Sequence, residues 1–309
     1  MIVCVTLNPC IERCLFIEGD LPSGKTFRTD PGFWLVGGKG INVARALTLL
    51  KKENIALTFA GGLTGEIMLK EIKKEKINTK YIWTAAPTRI GFFVFDTKVN
   101  GWREFLEEGG EITGTECREM IDAFKETIKN AEWACLSGSS PCSVSDFVFA
   151  EMVSIAKDAG VKVLLDTYGP PLKEALNKGP DILKVNATEL KTSLGENITN
   201  EEVYLNLRRA GGKTLIVTDG GNDVYLYHGR DRIKMKPPET VVKNPVGSGD
   251  CFAAGMLYGF LEGWDMVNAV AFGVAAGTAN ASKLHVAAIE KSEIEGFLGQ
   301  VEIFKGHNS

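Results

Sequence analysis

The sequence predicts an α/β protein: a three-layer α/β/α domain around a mostly parallel sheet, with a small β-sheet lid at its side. Three observations carry this. Short apolar runs alternate with helix-length segments, two stretches break the alternation, and the last third of the chain is helical. The apolar runs are 2–5, 56–59, 133–136, 161–165, 182–185 and 214–217. They are β-branched and lack polar alternation, as expected of strands buried on both faces. Between them, segments 41–52, 65–75, 116–130, 145–159 and 200–210 have helical length. Strands and helices in alternation give a parallel sheet covered on both sides.

The breaks fall at about 12–36 and 88–108. The second reads Arg89-Ile90-Gly91-Phe92-Phe93-Val94-Phe95, then Trp102-Arg103-Glu104-Phe105-Leu106. Paired strands of a small antiparallel sheet account for both. At the carboxyl ends of the main strands, where open α/β sheets bind ligands, such a sheet would act as a lid. It could also be a dimer surface, and the two roles are compatible. Segments 250–261, 266–283 and 291–300 complete the helices; the second is rich in Ala and Gly, which suits close packing. No Pro/Ser-rich linker divides the chain, so 1–309 reads as one domain with lid strands inserted.

Composition narrows the function. The chain has 44% hydrophobic and 24% charged residues and a net charge of −4, with no long Lys/Arg run, so nucleic acid is not expected as a partner. The apolar run 1–7 ends at Asn8-Pro9 and is too short for a membrane span or a secretory leader, so no membrane association and a cytoplasmic location are expected. Seven cysteines form no CxxC pair, which indicates neither a zinc site nor a disulfide framework.

One motif misleads. Residues 19–26, Gly-Asp-Leu-Pro-Ser-Gly-Lys-Thr, match GxxxxGK[ST]. A phosphate-binding loop needs its Lys and Thr to open a helix, yet Phe27-Arg28-Thr29-Asp30-Pro31-Gly32 follows, a poor helix. The segment that does suit an anion is Asn244-Pro245-Val246-Gly247-Ser248-Gly249-Asp250, running into the apolar helix Cys251 to Tyr258. Helix-start N–H groups and the dipole attract a phosphoryl group, and Gly247 and Gly249 let it approach the backbone. Asp250 is read either as the helix cap or as a base that takes a proton from an attacking hydroxyl, and both roles are compatible.

Together with Gly37-Gly38-Lys39-Gly40-Ile41-Asn42-Val43-Ala44-Arg45-Ala46, that segment resembles the two hallmark motifs of the PfkB (ribokinase-like) family of sugar kinases. Within it, Thr6-Leu7-Asn8-Pro9, Thr88-Arg89, Gly109-Gly110-Glu111, Ser137-Gly138-Ser139-Ser140-Pro141 and Lys184-Val185-Asn186-Ala187-Thr188-Glu189 are most similar to the 1-phosphofructokinase and tagatose-6-phosphate kinase branch. The resemblance implies a ribokinase-like fold and ATP-dependent phosphorylation of a ketohexose phosphate, namely fructose 1-phosphate, tagatose 6-phosphate or fructose 6-phosphate. It implies Asp250 as catalytic base, with Gly247, Ser248 and Gly249 forming the anion hole. Lys184, Asn186, Thr218, Gly220 and Asn280 are implied at the nucleotide, and Asn186 and Glu189 in indirect placement of Mg²⁺. Asn186 and Glu189 also read as a capping box. On the acceptor side it implies Gly37, Gly38, Asn42 and Ser139 at the sugar, and Lys39, Arg89 and Arg28 at its phosphate. A homodimer through the lid is expected.

Three positions depart from the pattern, the first being Gly110, where the family's Gly-Pro-Glu has Pro. Glu12 stands where the family has Asp at the sugar hydroxyls, and an extra methylene moves a carboxylate by on the order of 1 Å, which matters in a preorganised site. Asp223 replaces the last Gly of the nucleotide turn 218–223. The last two departures motivate one alternative, a catalytically weak sensor that keeps the kinase fold; retention of Asp250, its glycines, Asn186 and Glu189 argues against it. A nicotinamide-dependent dehydrogenase is disfavoured because Phe252 stands where a GxGxxG fingerprint needs Gly.

Overall fold

The structure is a computed structural model that describes residues 1–19, 24, 26–29, 31–98 and 101–306. Much of the loop-like motif at 19–26, Lys25 included, lies outside the described residues. In chain order the elements are β1 (Ile2–Thr6), β2 (Cys10–Ile17), β3 (Phe33–Gly37), α1 (Lys39–Leu49), β4 (Asn54–Gly61), α2 (Gly62–Lys74), β5 (Thr79–Thr84), β6 (Arg89–Asp96), β7 (Gly101–Leu106), α3 (Gly114–Thr127), β8 (Trp133–Ser137), α4 (Val148–Asp158), β9 (Lys162–Asp166), α5 (Pro170–Leu176), β10 (Ile182–Asn186), α6 (Ala187–Leu194), α7 (Asn200–Arg209), β11 (Thr214–Thr218), β12 (Val224–His228), β13 (Asp231–Lys236), α8 (Ser248–Leu261), α9 (Met266–Ala281), α10 (Lys291–Leu298) and β14 (Glu302–Gly306).

The main sheet has the order β14-β13-β12-β11-β10-β9-β8-β1-β4-β5. From β11 to β5 every neighbour is parallel, while β12, β13 and β14 continue antiparallel. The strands predicted from apolar runs are the central parallel ones. The antiparallel strands were not foreseen, because Val224–His228 and Asp231–Lys236 alternate buried and exposed positions and Glu302–Gly306 is exposed throughout.

Alternation along each central strand divides the core in two. Ile2, Cys4, Ala56 and Cys135 face α1, α8, α9 and α10, whereas Val3, Val5, Leu57 and Leu136 face α3, α4 and α7. This is the expected three-layer arrangement. No helix among the described residues is long and apolar enough to cross a membrane.

The lid is a four-stranded sheet ordered β3-β2-β6-β7. It is mixed, which corrects the antiparallel expectation: β2 runs parallel to β6 from Cys10↔Arg89 to Ile17↔Asp96. The cause is topological. β2 follows β1 and β6 follows β5 from the same end of one parallel sheet, so both enter the lid in one direction.

Candidate active site

The carboxyl ends of the parallel strands and the inner face of the lid enclose a cleft of ≈ 880 Å³. Its floor is the start of α8. Gly247 caps this helix with φ 79°, and a Cβ there would also come within 2.5 Å of Val286 Cγ1, so the position requires Gly twice over. The left-handed turn lets the helix begin at Ser248, two residues before the expected cap. Asp250 is therefore not the cap, contrary to one sequence expectation; its side chain turns away from the helix. The N–H of Ser248 donates to Pro245 O and that of Asp250 to Gly247 O. The N–H groups of Gly247 and Gly249 make no hydrogen bond among the described residues and remain for an anion.

Asp250 is buried, and its Oδ2 accepts a 2.8 Å bond from Asn42 Nδ2. Arg45, on the same turn side of α1, donates to Asn42 Oδ1. A guanidinium has only donors, so it fixes the amide with its N–H toward Asp250. Oδ1 of Asp250 makes no hydrogen bond among the described residues and faces the cleft it lines. Burial raises the Asp250 pKa from 3.8 to about 6 against the pull of Lys39, with Asp166 adding to the rise. This is the range in which a carboxylate works as a base near neutral pH.

Beside Asp250 lies a charge network that the sequence motifs did not assign. Asp166, which closes the apolar strand β9, is buried between Lys39 Nζ at 3.1 Å and Lys184 Nζ at 2.5 Å. Burial opposes its charge, but Lys184 and Lys39 together hold its pKa below the usual value. Lys39 reaches Glu189 Oε1 at 2.8 Å as well; burial works against the ammonium, yet Asp166 and Glu189 outweigh it and keep it charged. A Cβ built on Gly249 would lie 3.1 Å from Lys184 Nζ, so this ammonium stands over the first turn of α8, where an anion would bind. The only hint in the sequence was an acid ending an apolar strand.

Asn186 and Glu189 form the capping box of α6 in full: Asn186 Oδ1 accepts from Glu189 N at 2.7 Å, and Glu189 Oε2 from Asn186 N at 3.3 Å. Thr218 ends β11, and Gly220 takes φ 56° in the turn that follows. Asp223 does not take a positive φ; it pairs with Lys234 at 3.1 Å, so the turn forms without the Gly that the pattern has there. Asn280 does not line the cleft. Its amide instead ties Val246 O, Ser248 Oγ and Ala287 N together at 2.7–3.0 Å, holding the loop that precedes α8.

The other end of the cleft belongs to the lid. Glu12, 5% exposed, accepts from Cys10 Sγ at 3.0 Å. Arg89 is held by backbone carbonyls, Nη2 to Asn8 O at 3.0 Å, Nη1 to Glu107 O at 3.1 Å and Nε to Pro9 O at 3.4 Å. No carboxylate lies within ion-pair distance of it among the described residues. Ser139 Oγ accepts from Asn8 Nδ2 at 3.1 Å, and Gly37 and Gly38 form the wall leading into α1. Arg28 is exposed and outside the cleft lining. Lys39, expected at the sugar phosphate, lines the cleft and is paired with Asp166 and Glu189, because its position at the start of α1 brings it to the end of β9.

The sequence profile of the pfkB family of carbohydrate kinases matches residues 4–292. The chain belongs to that family. It is therefore a carbohydrate kinase, a phosphotransferase with an alcohol group as acceptor. This kinase is 29% identical over 291 residues to 1-phosphofructokinase of Bacillus subtilis, covering 91% of this chain and 92% of that protein. It is 29% identical to a Staphylococcus aureus protein assigned as a phosphofructokinase, with a TM-score of 0.81 and 100% of both chains covered. Phosphofructokinase-2 of Escherichia coli, solved with potassium, superposes with a TM-score of 0.88 at 24% identity over 97% of this chain and 98% of that one, which shows the shared fold.

Proposed function

We propose that this kinase transfers the γ-phosphoryl group of ATP to a hydroxyl of a ketohexose phosphate, fructose 1-phosphate, tagatose 6-phosphate or fructose 6-phosphate, with Asp250 as general base. The observation that carries the reading is Arg89: a guanidinium clamped by three backbone carbonyls, with no carboxylate within ion-pair distance among the described residues, on the lid strand that lines the cleft. Such a cation is preorganised for an acceptor that already bears a phosphate. The similarity to a 1-phosphofructokinase supports the same substrate class.

In the reaction, Asp250 Oδ1 takes the proton of the attacking hydroxyl. The sugar oxygen bonds to the γ-phosphorus as the bond to the β,γ-bridging oxygen breaks, and ADP leaves with that oxygen. Charge on the transferring group is met by the Gly247 and Gly249 N–H groups, Lys184 and Lys39, which are in place beforehand. Glu189 and Asn186 suit Mg²⁺ by the hard oxygens they offer, but both are engaged, with Lys39 and the α6 cap, so they would hold it through water. When bound, the ion neutralises nucleotide phosphate charge.

Exposed aromatic residues on the lid strands, among them Trp34, Phe92 and Phe105, support assembly as a homodimer through this sheet. The functional reading is tested by ADP release from ATP with each of the three sugar phosphates and with unphosphorylated fructose. One sugar phosphate is expected to drive ADP release far above the sugar-free rate. A sugar-independent rate with all of them would favour the sensor alternative instead.

A further inference from the structure

The lid contributes a carboxylate to which neither the motifs nor the transfer chemistry gives a task. Glu104 on β7 pairs across the sheet with Phe93, which is buried on the inner face and stacks with Trp102 at 5.6 Å. Glu104 lines the cleft together with Glu12, Arg89, Leu35 and Leu106. We propose that Glu104 is a second acceptor-recognising carboxylate, acting with Glu12, so that the lid selects a sugar phosphate by the hydroxyls it offers to two acidic acceptors. The proposal rests on reading the cleft as a sugar-phosphate site.

Glu12 shows that this end of the cleft is built around a long acid. Its neighbours across the lid are Gly91 and, two pairs from it, Gly37. A Cβ at Gly91 would come within 2.7 Å of Glu12 Cγ, and one at Gly37 would meet Glu12 Oε1 at 2.3 Å. Two notches thus take the extra methylene that distinguishes this chain from the family pattern. Cys10 satisfies Oε1, whereas Oε2 has no hydrogen-bond partner among the described residues, although the side chain is 5% exposed. Among the described residues Asn54 Oδ1 is the one fully buried side-chain polar atom without a partner, so Glu12 Oε2 keeps its access to the cleft and is open to a donor from a ligand there.

An ionised carboxylate only accepts hydrogen bonds. Arg89 takes the phosphate, and the remainder of a ketohexose offers hydroxyl donors, so two carboxylates are matched to that part of the acceptor. Burial lifts the Glu12 carboxyl above its usual range and the Glu104 charge adds to the lift, which places the two acids within electrostatic reach. The competing role for Glu104 is that of a counter-ion to Arg89, whose charge partly offsets the rise that burial causes in Glu104.

The test compares wild type, Glu104→Leu and Glu104→Gln. For the sugar phosphate that wild type uses, kcat/KM is measured for it and for its C4 epimer, along with the KM for ATP and the melting temperature. The proposal predicts that Glu104→Leu raises the acceptor KM about tenfold or more and shrinks the epimer ratio, since a site built to bond a hydroxyl loses discrimination with that bond. ATP KM and melting temperature stay near wild type, and Glu104→Gln, whose amide oxygen still accepts, recovers part of the ratio. A lowered acceptor KM in Glu104→Leu, as a freed Arg89 would give, or an unchanged epimer ratio, overturns the proposal while leaving the sugar-phosphate reading intact. A wild-type enzyme inert toward every sugar phosphate overturns that reading, and the proposal with it.

Discussion

The two ends of the cleft are built differently. At the phosphoryl-transfer end, Asp250, Asp166 and Lys184 are all buried, each fixed by a short bond to another buried group or by two lysines, on elements of the main sheet and its covering helices. At the acceptor end, Glu12 and Arg89 sit on a four-stranded sheet whose β7 is largely exposed, and Arg89 is held by backbone carbonyls alone. On the proposed reading, the first end is a preorganised charge arrangement in which a change of one atom alters the chemistry, and the second is a shape and hydrogen-bond filter that can vary while the chemistry stays the same. Substitutions at the transfer end should therefore act on kcat and those at the lid on the acceptor KM.

Apart from loss of Asp250 itself, the largest effect expected along this divide is from Gly247→Ala. The left-handed φ and the Val286 contact make the new methyl displace the loop, so stability falls by about 1–3 kcal/mol. The displaced loop carries the Gly247 N–H out of position, and misplacing one oxyanion-type donor lowers kcat roughly 10²-fold. Steady-state kinetics with a thermal melt check both.

Next comes pH. Only the carboxylate form of Asp250 is a base, so kcat/KM should fall about tenfold per pH unit below its pKa of about 6 and level off above it. The same shift has a stability side. The folded pKa lies above the ordinary 3.8, so the contribution of this group is greatest below that value and is lost as pH rises through about 6. A charged Asp250 thus destabilises the fold at neutral pH, and Asp250→Asn should melt a few degrees higher, by about 2–8 °C.

The smallest effect is expected at Glu12→Asp. Shortening the acid withdraws it from the Gly37 and Gly91 notches, so the acceptor KM and the preference among the three sugar phosphates change while kcat with the best acceptor stays within about threefold. A loss of kcat as large as that of Gly247→Ala would dissolve the distinction between the two ends.

The central parallel strands and every long helix were legible because each carries one period throughout: apolar runs such as Val163-Leu164-Leu165, or a helix as apolar as 248–261. The direction of the β2–β6 pair was not, since strand direction follows from where the chain leaves the main sheet and no local pattern encodes it. At the site, the residues carried in contiguous motifs, Gly37 to Asn42 and Gly247 to Asp250, come together in one cleft. Asp166, and Glu104 in the role proposed for it, were missed because each is a single acid in an ordinary strand, given meaning only by partners far away in sequence: Lys39 is 127 residues from Asp166. Asn280, placed with the nucleotide by its motif position, also ties the loop before α8 through three hydrogen bonds, a role that no local pattern announces.

The central claim is that Asp250 is the base of a sugar-phosphate kinase, and Asp250→Asn tests it most directly. The amide preserves the shape and can still accept from Asn42 but cannot take the proton. With the best acceptor, sugar-dependent ADP release should fall by about 10²–10⁴-fold while ATP affinity stays near wild type. Undiminished ADP release in a correctly folded Asp250→Asn enzyme would contradict the account.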